Sequence, residues 1–173
     1  MQRIELLAPA GDLERLKTAF VYGADAVYIG GEIFGMRSAA KNFNKEDMTE
    51  GVRFAHERGK QVFVTLNIIP RNEEFEQLEA YLKELDEIGV DAVIVSDPGV
   101  FSVVKKVLPN MEIHISTQAS TTNASAASFW YNQGAKRVVM ARELSFEEIK
   151  EIRDNCPEDM DIEALEKGCK IKG

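Results

Sequence analysis

The chain has 173 residues, 45% of them hydrophobic and 29% charged, which predicts a globular domain and argues against intrinsic disorder. Lys and Arg total 21 against 29 Asp and Glu, so the net charge of −8 disfavours nucleic-acid binding by bulk charge. No apolar run approaches the roughly 18 residues of a membrane span, and a charged residue interrupts the first apolar stretch, so we expect a cytoplasmic protein.

Short apolar runs alternate with amphipathic stretches along the whole chain, which predicts repeated βα units. The predicted strands begin near positions 4, 26, 61, 92, 112 and 137, and the first of them covers Ile4 to Ala8. Asp12, Asn44 and Asp97 are typical helix caps, and Ser145 with Glu148 forms a capping box. The spacing between strands suits a strand, a crossover helix and two short loops, so all six strands are predicted to be parallel.

Two architectures place helices around a parallel sheet, the open doubly wound sheet and the closed (β/α) barrel. The turn after the first strand, Ala8-Pro-Ala-Gly-Asp12, lacks the glycine fingerprint of a dinucleotide-binding open sheet. Polar residues follow nearly every strand, as in a barrel whose strand ends share one site. We therefore predict a TIM-type (β/α) barrel, incomplete at about six of eight βα units.

The fifth predicted strand, Glu112 to Thr117, carries the sharpest candidate for chemistry. Alternation along this strand places His114, Ser116 and Gln118 on one face, which indicates a polar pocket. The alternative is a buried structural histidine with Ser116 and Gln118 as its hydrogen-bond partners.

Further candidates lie where other predicted strands end. Arg142 and Glu143 follow the sixth strand, Asn67 the third, and Asp97 the fourth, although Asp97 equally suits a plain helix cap. Arg37 lies in the long segment after the second strand. We predict that His114 and Glu143 transfer protons or donate hydrogen bonds, and that the remaining candidates bind substrate, with the arginines as anion clamps: Arg142, Gln118, Asn67, Asp97 and Arg37.

Several motifs together closely resemble peptidase family U32, the collagenase-like proteases, from about Ile4 to Ile162. They are Glu5-Leu-Leu-Ala-Pro-Ala-Gly-Asp12, Tyr22-Gly-Ala-Asp-Ala-Val-Tyr-Ile-Gly30, Ser96-Asp-Pro-Gly99, His114-Ile-Ser-Thr-Gln-Ala119 and Ala141-Arg-Glu-Leu-Ser145. The resemblance implies a barrel domain over residues 1–162, and residues 163–173 diverge from the family as a C-terminal tail.

The resemblance also implies two activities. The first is hydrolysis of polypeptides, which we take as the main expectation. The second is prephenate-dependent, oxygen-independent hydroxylation of a tRNA uridine, the branch that this sequence resembles most. The substrate is accordingly a polypeptide or a tRNA.

Characterised hydroxylases of this family carry an iron–sulfur cluster, whereas Cys156 and Cys169 are the only thiols in this sequence. We therefore predict no metal or cofactor in this chain itself. A third interpretation is a truncated, inactive barrel. Six units would leave unpaired strand edges, so self-association through the open barrel edge is expected.

Overall fold

The computed structural model describes residues 4–35 and 42–164. The chain divides into two compact units, Met1–Met111 and Glu112–Gly173. No helix within the described residues combines the length and the apolar character needed to cross a bilayer.

The first unit consists of four βα repeats. Its elements are β1 (Leu7–Pro9), α1 (Leu13–Val21), β2 (Ala26–Gly30), α2 (Lys45–His56), β3 (Gln61–Leu66), α3 (Phe75–Ile88), β4 (Ala92–Val95) and α4 (Pro98–Val107). A 3-10 turn, Asn72–Glu74, precedes α3. The strands are parallel in the order β1-β2-β3-β4, as the alternation of apolar runs predicts.

The second unit contains three further parallel strands. Its elements are β5 (Glu112–Ile115), α5 (Ala124–Gln133), β6 (Arg137–Val139), α6 (Phe146–Asp154) and β7 (Asp161–Glu163). A 3-10 turn, Thr117–Ala119, follows β5. Sequence reasoning missed β7, because three residues with charged ends give no apolar run. The domain boundary predicted after Ile162 falls inside this strand.

The helix starts are as predicted, because each depends on a side chain within three residues. Asp12 accepts a hydrogen bond from Arg15 N at 2.8 Å and caps α1. Asn44 caps α2 in the same way, and Ser145 with Glu148 forms the predicted capping box of α6. Helix α3 ends at Gly89, whose φ of 85° is the left-handed conformation that glycine adopts without strain.

Two aspartates fix the register at the amino-terminal ends of neighbouring strands. Asp25 Oδ2 accepts from Leu6 N at 3.1 Å, and Asp91 Oδ2 accepts from Val62 N at 2.7 Å. In return, Asp25 N donates to Leu6 O at 2.8 Å and Asp91 N to Val62 O at 3.1 Å. Each aspartate therefore ties its own strand to the preceding strand through both backbone and side chain.

The two faces of the first unit's sheet are apolar. One face carries Val27, Val64 and Val93, each fully buried, as a parallel strand covered by helices requires. The opposite face carries a second apolar cluster, made by Ala26, Phe63, Ala92 and Ile94 with Leu7 and Tyr28 beside them. In the second unit, one face of the sheet is apolar and the other carries charged side chains.

Candidate functional site

The polar face of the second unit is built by strand register. His114 lies opposite Arg137, which lies opposite Asp161, so the three side chains point to the same face. Alternation adds the first residue of β5 and the last of β7 to this face. We call the resulting group the charged cluster: Glu112, His114, Arg137, Asp161 and Glu163.

His114 and Glu112 form the tightest pair in the charged cluster. His114 Nε2 lies 2.8 Å from Glu112 Oε1, and the histidine side chain is fully buried while that of Glu112 is 39% exposed. The hydrogen bond from His114 lowers the pKa of Glu112, and the positive charges of Arg137 and Lys136 lower it further against the opposing effect of burial. Glu112 is therefore held as a carboxylate.

Arg137 connects the cluster to β7. Its guanidinium nitrogens lie 3.8 Å from Asp161 Oδ2 and 3.6 Å from Glu163 Oε2, and its side chain is only 10% exposed. These distances exceed the 2.7–2.9 Å of a close charge-assisted hydrogen bond, so the attraction is mainly ionic. A mostly buried cation is thus neutralised by two carboxylates of the neighbouring strand.

The charged cluster lies toward the amino-terminal ends of its strands. Glu112, Arg137 and Asp161 are the first residues of β5, β6 and β7, and the His114 ring bonds toward that end. In parallel α/β sheets, ligands bind outside the carboxyl ends of the strands. The cluster therefore lies away from the end at which the sequence predicts substrate binding.

Gln118 does not share the strand face of His114, contrary to the sequence prediction. Strand β5 ends at Ile115, and Ser116 Oγ accepts from Gln118 N at 3.4 Å, which closes the 3-10 turn. A serine hydroxyl offers the backbone a local hydrogen bond in place of the sheet ladder. The exposed Gln118 consequently belongs to the β5–α5 loop.

The other predicted residues of the second unit lie at the carboxyl end of β6. Arg142 and Glu143 are exposed in the β6–α6 loop. Arg142 lies three residues beyond Val139, the last residue of β6, whereas Arg137, the residue opposite His114, is the first residue of that strand. The structure thus pairs His114 with Glu112 and places Arg142 and Glu143 at the opposite end of the strand.

The predicted residues of the first unit lie where β3 and β4 end. Asn67 follows β3 and is half-buried. Asp97 Oδ1 accepts from Val100 N at 2.9 Å, so Asp97 caps α4, the structural alternative that its position allowed. Arg37 lies outside the described residues.

The segment that follows β2 is anchored by aromatic packing. Phe34, with φ of 63°, stacks on Tyr81 of α3 with ring centroids 6.0 Å apart, and Phe34 O accepts from Ile68 N at 3.4 Å. Burial raises the pKa of Tyr81 well above its ordinary range. The Tyr81 hydroxyl lies against Gly31 and has no hydrogen-bond partner among the described residues.

Backbone strain concentrates at the carboxyl ends of the strands. Phe34 and Ser120, with φ of 63° and 51°, are the non-glycine residues with positive φ in the described chain. One follows β2 and the other follows β5. Such conformations persist only where the surrounding structure enforces them and often occur at functional sites. Each of these two loops is therefore a candidate binding loop of its own unit.

Sequence reasoning missed four members of the charged cluster. Two of them, Asp161 and Glu163, lie on the strand that had no apolar run, and Arg137 opens its strand. The available signal was the alternation of charged and isoleucine residues in Glu112-Ile-His114-Ile and Asp161-Ile-Glu163. Such alternation is typical of a strand with one polar face.

The cysteines do not fit an iron–sulfur cluster within this chain. Cluster iron is commonly held by four thiolates, and the sequence contains two cysteines. The Cys156 thiol lies 3.8 Å from Ser128 Oγ and 3.8 Å from Ala124 O, and Cys169 lies outside the described residues. Within those described residues, no group of three or more His, Cys, Asp and Glu side chains could hold a metal ion.

Comparison with known proteins identifies relatives over nearly the whole chain. The chain is 48% identical over 161 residues to tRNA hydroxylation protein P1 of Bacillus subtilis, covering 93% of this chain and 38% of that protein. It is 44% identical over 168 residues to tRNA hydroxylation protein P of Escherichia coli, covering 97% of this chain and 37% of that protein. The chain thus spans less than two fifths of the length of each.

The fold comparison agrees with the TIM-type (β/α) barrel predicted from the sequence. The solved structure of the U32 peptidase Mk0906 superposes with a TM-score of 0.76 at 17% identity, covering 95% of this chain and 69% of that structure. The family model of peptidase family U32 matches residues 11–170. The chain therefore belongs to peptidase family U32.

Proposed function

We propose that this chain is the barrel portion of a cytoplasmic enzyme that hydroxylates a uridine of tRNA in a prephenate-dependent reaction. The observation that carries the proposal is the 48% identity, over 93% of the chain, to a protein named for tRNA hydroxylation. Hydrolysis of polypeptides, the main expectation from the sequence, has weaker support, because the relatives that match at 48% and 44% identity are named for tRNA hydroxylation.

The described contacts also favour the hydroxylase over a serine or cysteine peptidase. Such a peptidase needs a hydroxyl or thiol within hydrogen-bond reach of a base. The Ser116 hydroxyl is used in the turn after β5, and the Cys156 thiol contacts Ser128 and a carbonyl. The His56 ring faces the Asp91 carboxylate at 3.1 Å, and His114 faces Glu112.

In this proposal, the loops at the carboxyl ends of the strands bind the substrates. Arg142 is a permanent cation in an exposed loop and suits a phosphate or carboxylate group, while Glu143 and Gln118 supply an acceptor and an amide in exposed loops of the same unit. His114 supports the sheet beneath them through Glu112. The redox centre that hydroxylation requires has to come from outside this sequence, since two cysteines do not supply four ligands.

A chimaera tests the proposal directly. In an Escherichia coli strain that lacks tRNA hydroxylation protein P, this chain replaces the matching 168-residue segment of that relative. Hydroxylated uridine in digested tRNA is quantified by liquid chromatography and mass spectrometry. We expect the chimaera to restore the nucleoside. A soluble, folded chimaera that restores none, and instead hydrolyses gelatin, would favour the peptidase.

Variants of the chimaera then test the β6–α6 loop, which carries Arg142. Arg142→Ala is expected to remove most of the modification, and Arg142→Lys to restore part of it, because lysine keeps the charge without the planar fork. Lys150→Ala is the control, since Lys150 is an exposed cation of the same unit that pairs with Asp154 on α6. Equal activity of the Arg142→Ala and Lys150→Ala chimaeras would show that Arg142 does not bind the substrate.

Self-association through an open barrel edge remains a prediction. Sedimentation velocity of the purified chain checks it, and a stable monomer at micromolar concentration would contradict it.

A further inference from the structure

Gly30, the last residue of β2, is a glycine that the fold itself does not require. It is not among the glycines with positive φ, so its backbone conformation suits any L residue. A Cβ built on Gly30 would lie 3.6 Å from both Asn42 Oδ1 and Thr65 Oγ1, which is ordinary van der Waals contact. Glycine weakens a strand relative to alanine, and it often marks a place where a ligand approaches the backbone closely. The absent side chain leaves a space the size of a methyl group.

Gly35 extends this space. A Cβ on Gly35 would lie 3.7 Å from Thr65 Oγ1, 3.7 Å from Gly31 O and 3.9 Å from Gly30 Cα. The Cβ positions of both glycines thus lie within 3.7 Å of one hydroxyl oxygen. The residues around the space are half-buried, so solvent reaches them. We call it the glycine recess, bounded by Gly30, Gly35, Asn42 and Thr65.

The glycine recess lies at the carboxyl ends of β2 and β3. Gly30 is paired with Thr65, the penultimate residue of β3. Ligands of parallel α/β sheets bind outside this end of the strands. Phe34, with φ of 63°, lies in the segment that continues from Gly30, so backbone strain occurs beside the recess. Tyr28 lies on the same face of β2, about 6.6 Å along the strand, and its aromatic ring is half-buried.

The oxygen atoms around the glycine recess accept hydrogen bonds. The Thr65 hydroxyl donates its own proton to Ile29 O at 3.2 Å, so toward the recess it acts as an acceptor. The Gly31 carbonyl is also an acceptor, and the Asn42 carboxamide offers an acceptor together with an amide donor. A carboxylate or a phosphate presents only acceptors and does not fit this lining. The group that fits is a neutral N–H or O–H donor flanked by an acceptor.

We propose that the glycine recess receives the Watson–Crick edge of an unpaired uracil, with Tyr28 as its stacking surface. That edge carries one N–H between two carbonyl oxygens, so the N–H donates to Thr65 Oγ1 and the Asn42 amide donates to a carbonyl. A planar ring is thin enough to lie against two residues that have no side chains. Single-stranded bases are bound by hydrogen bonds to this edge and by stacking on aromatic rings. The choice of uracil rests on the proposed function, and the inference adds where the base binds.

A nuclear magnetic resonance titration of the intact chain tests the site. Uridine monophosphate is the probe, and cytidine monophosphate is the matched control, because cytosine has an acceptor at the ring nitrogen where uracil has an N–H. We expect uridine monophosphate to shift the backbone amides of Gly30, Gly35 and Thr65, with a Kd at least about tenfold below that of the control. Equal Kd values, or no shift of these amides at millimolar nucleotide, would overturn the proposal.

Gly30→Ala separates binding from folding. The added methyl group fills the recess without a clash, so the Tm is expected to stay equal or rise while the Kd for uridine monophosphate rises at least about tenfold. Gly11→Ala is the control, because its Cβ would meet the flexible end of Arg15 at 3.2 Å and lies outside the recess. An unchanged Kd in Gly30→Ala would contradict the proposal. If that variant does not fold, the comparison of the two nucleotides in the unsubstituted chain decides.

The same variant distinguishes failure of this site from failure of the proposed function. A chimaera that restores hydroxylated uridine equally with and without Gly30→Ala would refute the uracil site and leave the hydroxylase standing. An inactive chimaera, together with uridine binding that Gly30→Ala removes from the chain, would refute the hydroxylase and support the uracil site.

Discussion

Gly31→Ala is expected to destabilise the first unit through a single contact with Tyr81. A Cβ built on Gly31 would lie 1.7 Å from Tyr81 Oη, 3.0 Å from its Cζ and 3.4 Å from Met48 Cε. The first distance is about half an ordinary van der Waals separation. Tyr81 is only 8% exposed and stacks on Phe34, so its ring cannot withdraw into solvent.

The expected loss in the free energy of unfolding follows from the overpacking that this contact forces. Inserting one methyl group into a packed core costs about 1–3 kcal/mol. For a chain of 173 residues, that corresponds to a fall in Tm of about 3–10 °C. Tyr81→Phe alone is expected to be neutral or stabilising by up to about 1 kcal/mol, because its hydroxyl is buried without a partner among the described residues.

The assay is thermal unfolding, followed by circular dichroism, of the four members of a double-mutant cycle. Removing the hydroxyl leaves a 3.0 Å contact between Cβ and Cζ, which a shift of a few tenths of an ångström relieves. Gly31→Ala should therefore cost at least about 1 kcal/mol less in the Tyr81→Phe background. An equal cost in both backgrounds, or a loss above about 1 kcal/mol from Tyr81→Phe alone, would refute the reasoning.

Three further predictions test the loops. Asp97→Ala should lower the free energy of unfolding by about 1 kcal/mol, and Asp97→Ser should lower it much less, because a serine hydroxyl still accepts from Val100 N. An unchanged denaturation midpoint of Asp97→Ala would contradict the capping role. The Tyr131 hydroxyl donates to Asp159 at 2.5 Å and lowers the pKa of that carboxyl. Tyr131→Phe should therefore raise this pKa in a carboxyl ¹³C titration and reduce the stabilisation that the protein loses as the pH falls through it. Arg153 donates to three carbonyls of the α6–β7 loop. Arg153→Met should therefore lower the free energy of unfolding, measured in urea, by about 2 kcal/mol. Lys150→Met, the same substitution at an exposed lysine of α6, should change it little.

Local chemistry made most of the fold readable from the sequence. Asp12, Asn44 and Asp97 cap their helices because each accepts from an amide three residues ahead. Strand bounds were less accurate where a partner strand sets them. The first strand was predicted at Ile4 to Ala8 but runs over Leu7–Pro9, since its pairing begins where Leu7 meets Ala26.

The candidate site was only partly readable. The sequence singled out His114, but its surroundings depend on which residues of β6 and β7 lie opposite it. Gln118 was misplaced because the Ser116 side chain ends the strand before the alternation reaches it. The roles of Arg142 and Glu143 remain predictions, and their exposure at the carboxyl end of β6 keeps them available to a substrate.

By itself, the sequence determined the βα order and the helix caps, because these depend on hydrogen bonds and apolar periods within a few neighbouring residues. Its motifs separately carried the resemblance to peptidase family U32. Only the tertiary structure decided that His114 lies opposite Arg137, and that the Tyr81 hydroxyl meets Gly31, fifty residues away. Such contacts arise from strand register and helix packing, which bring together side chains whose local sequences carry no signal of each other.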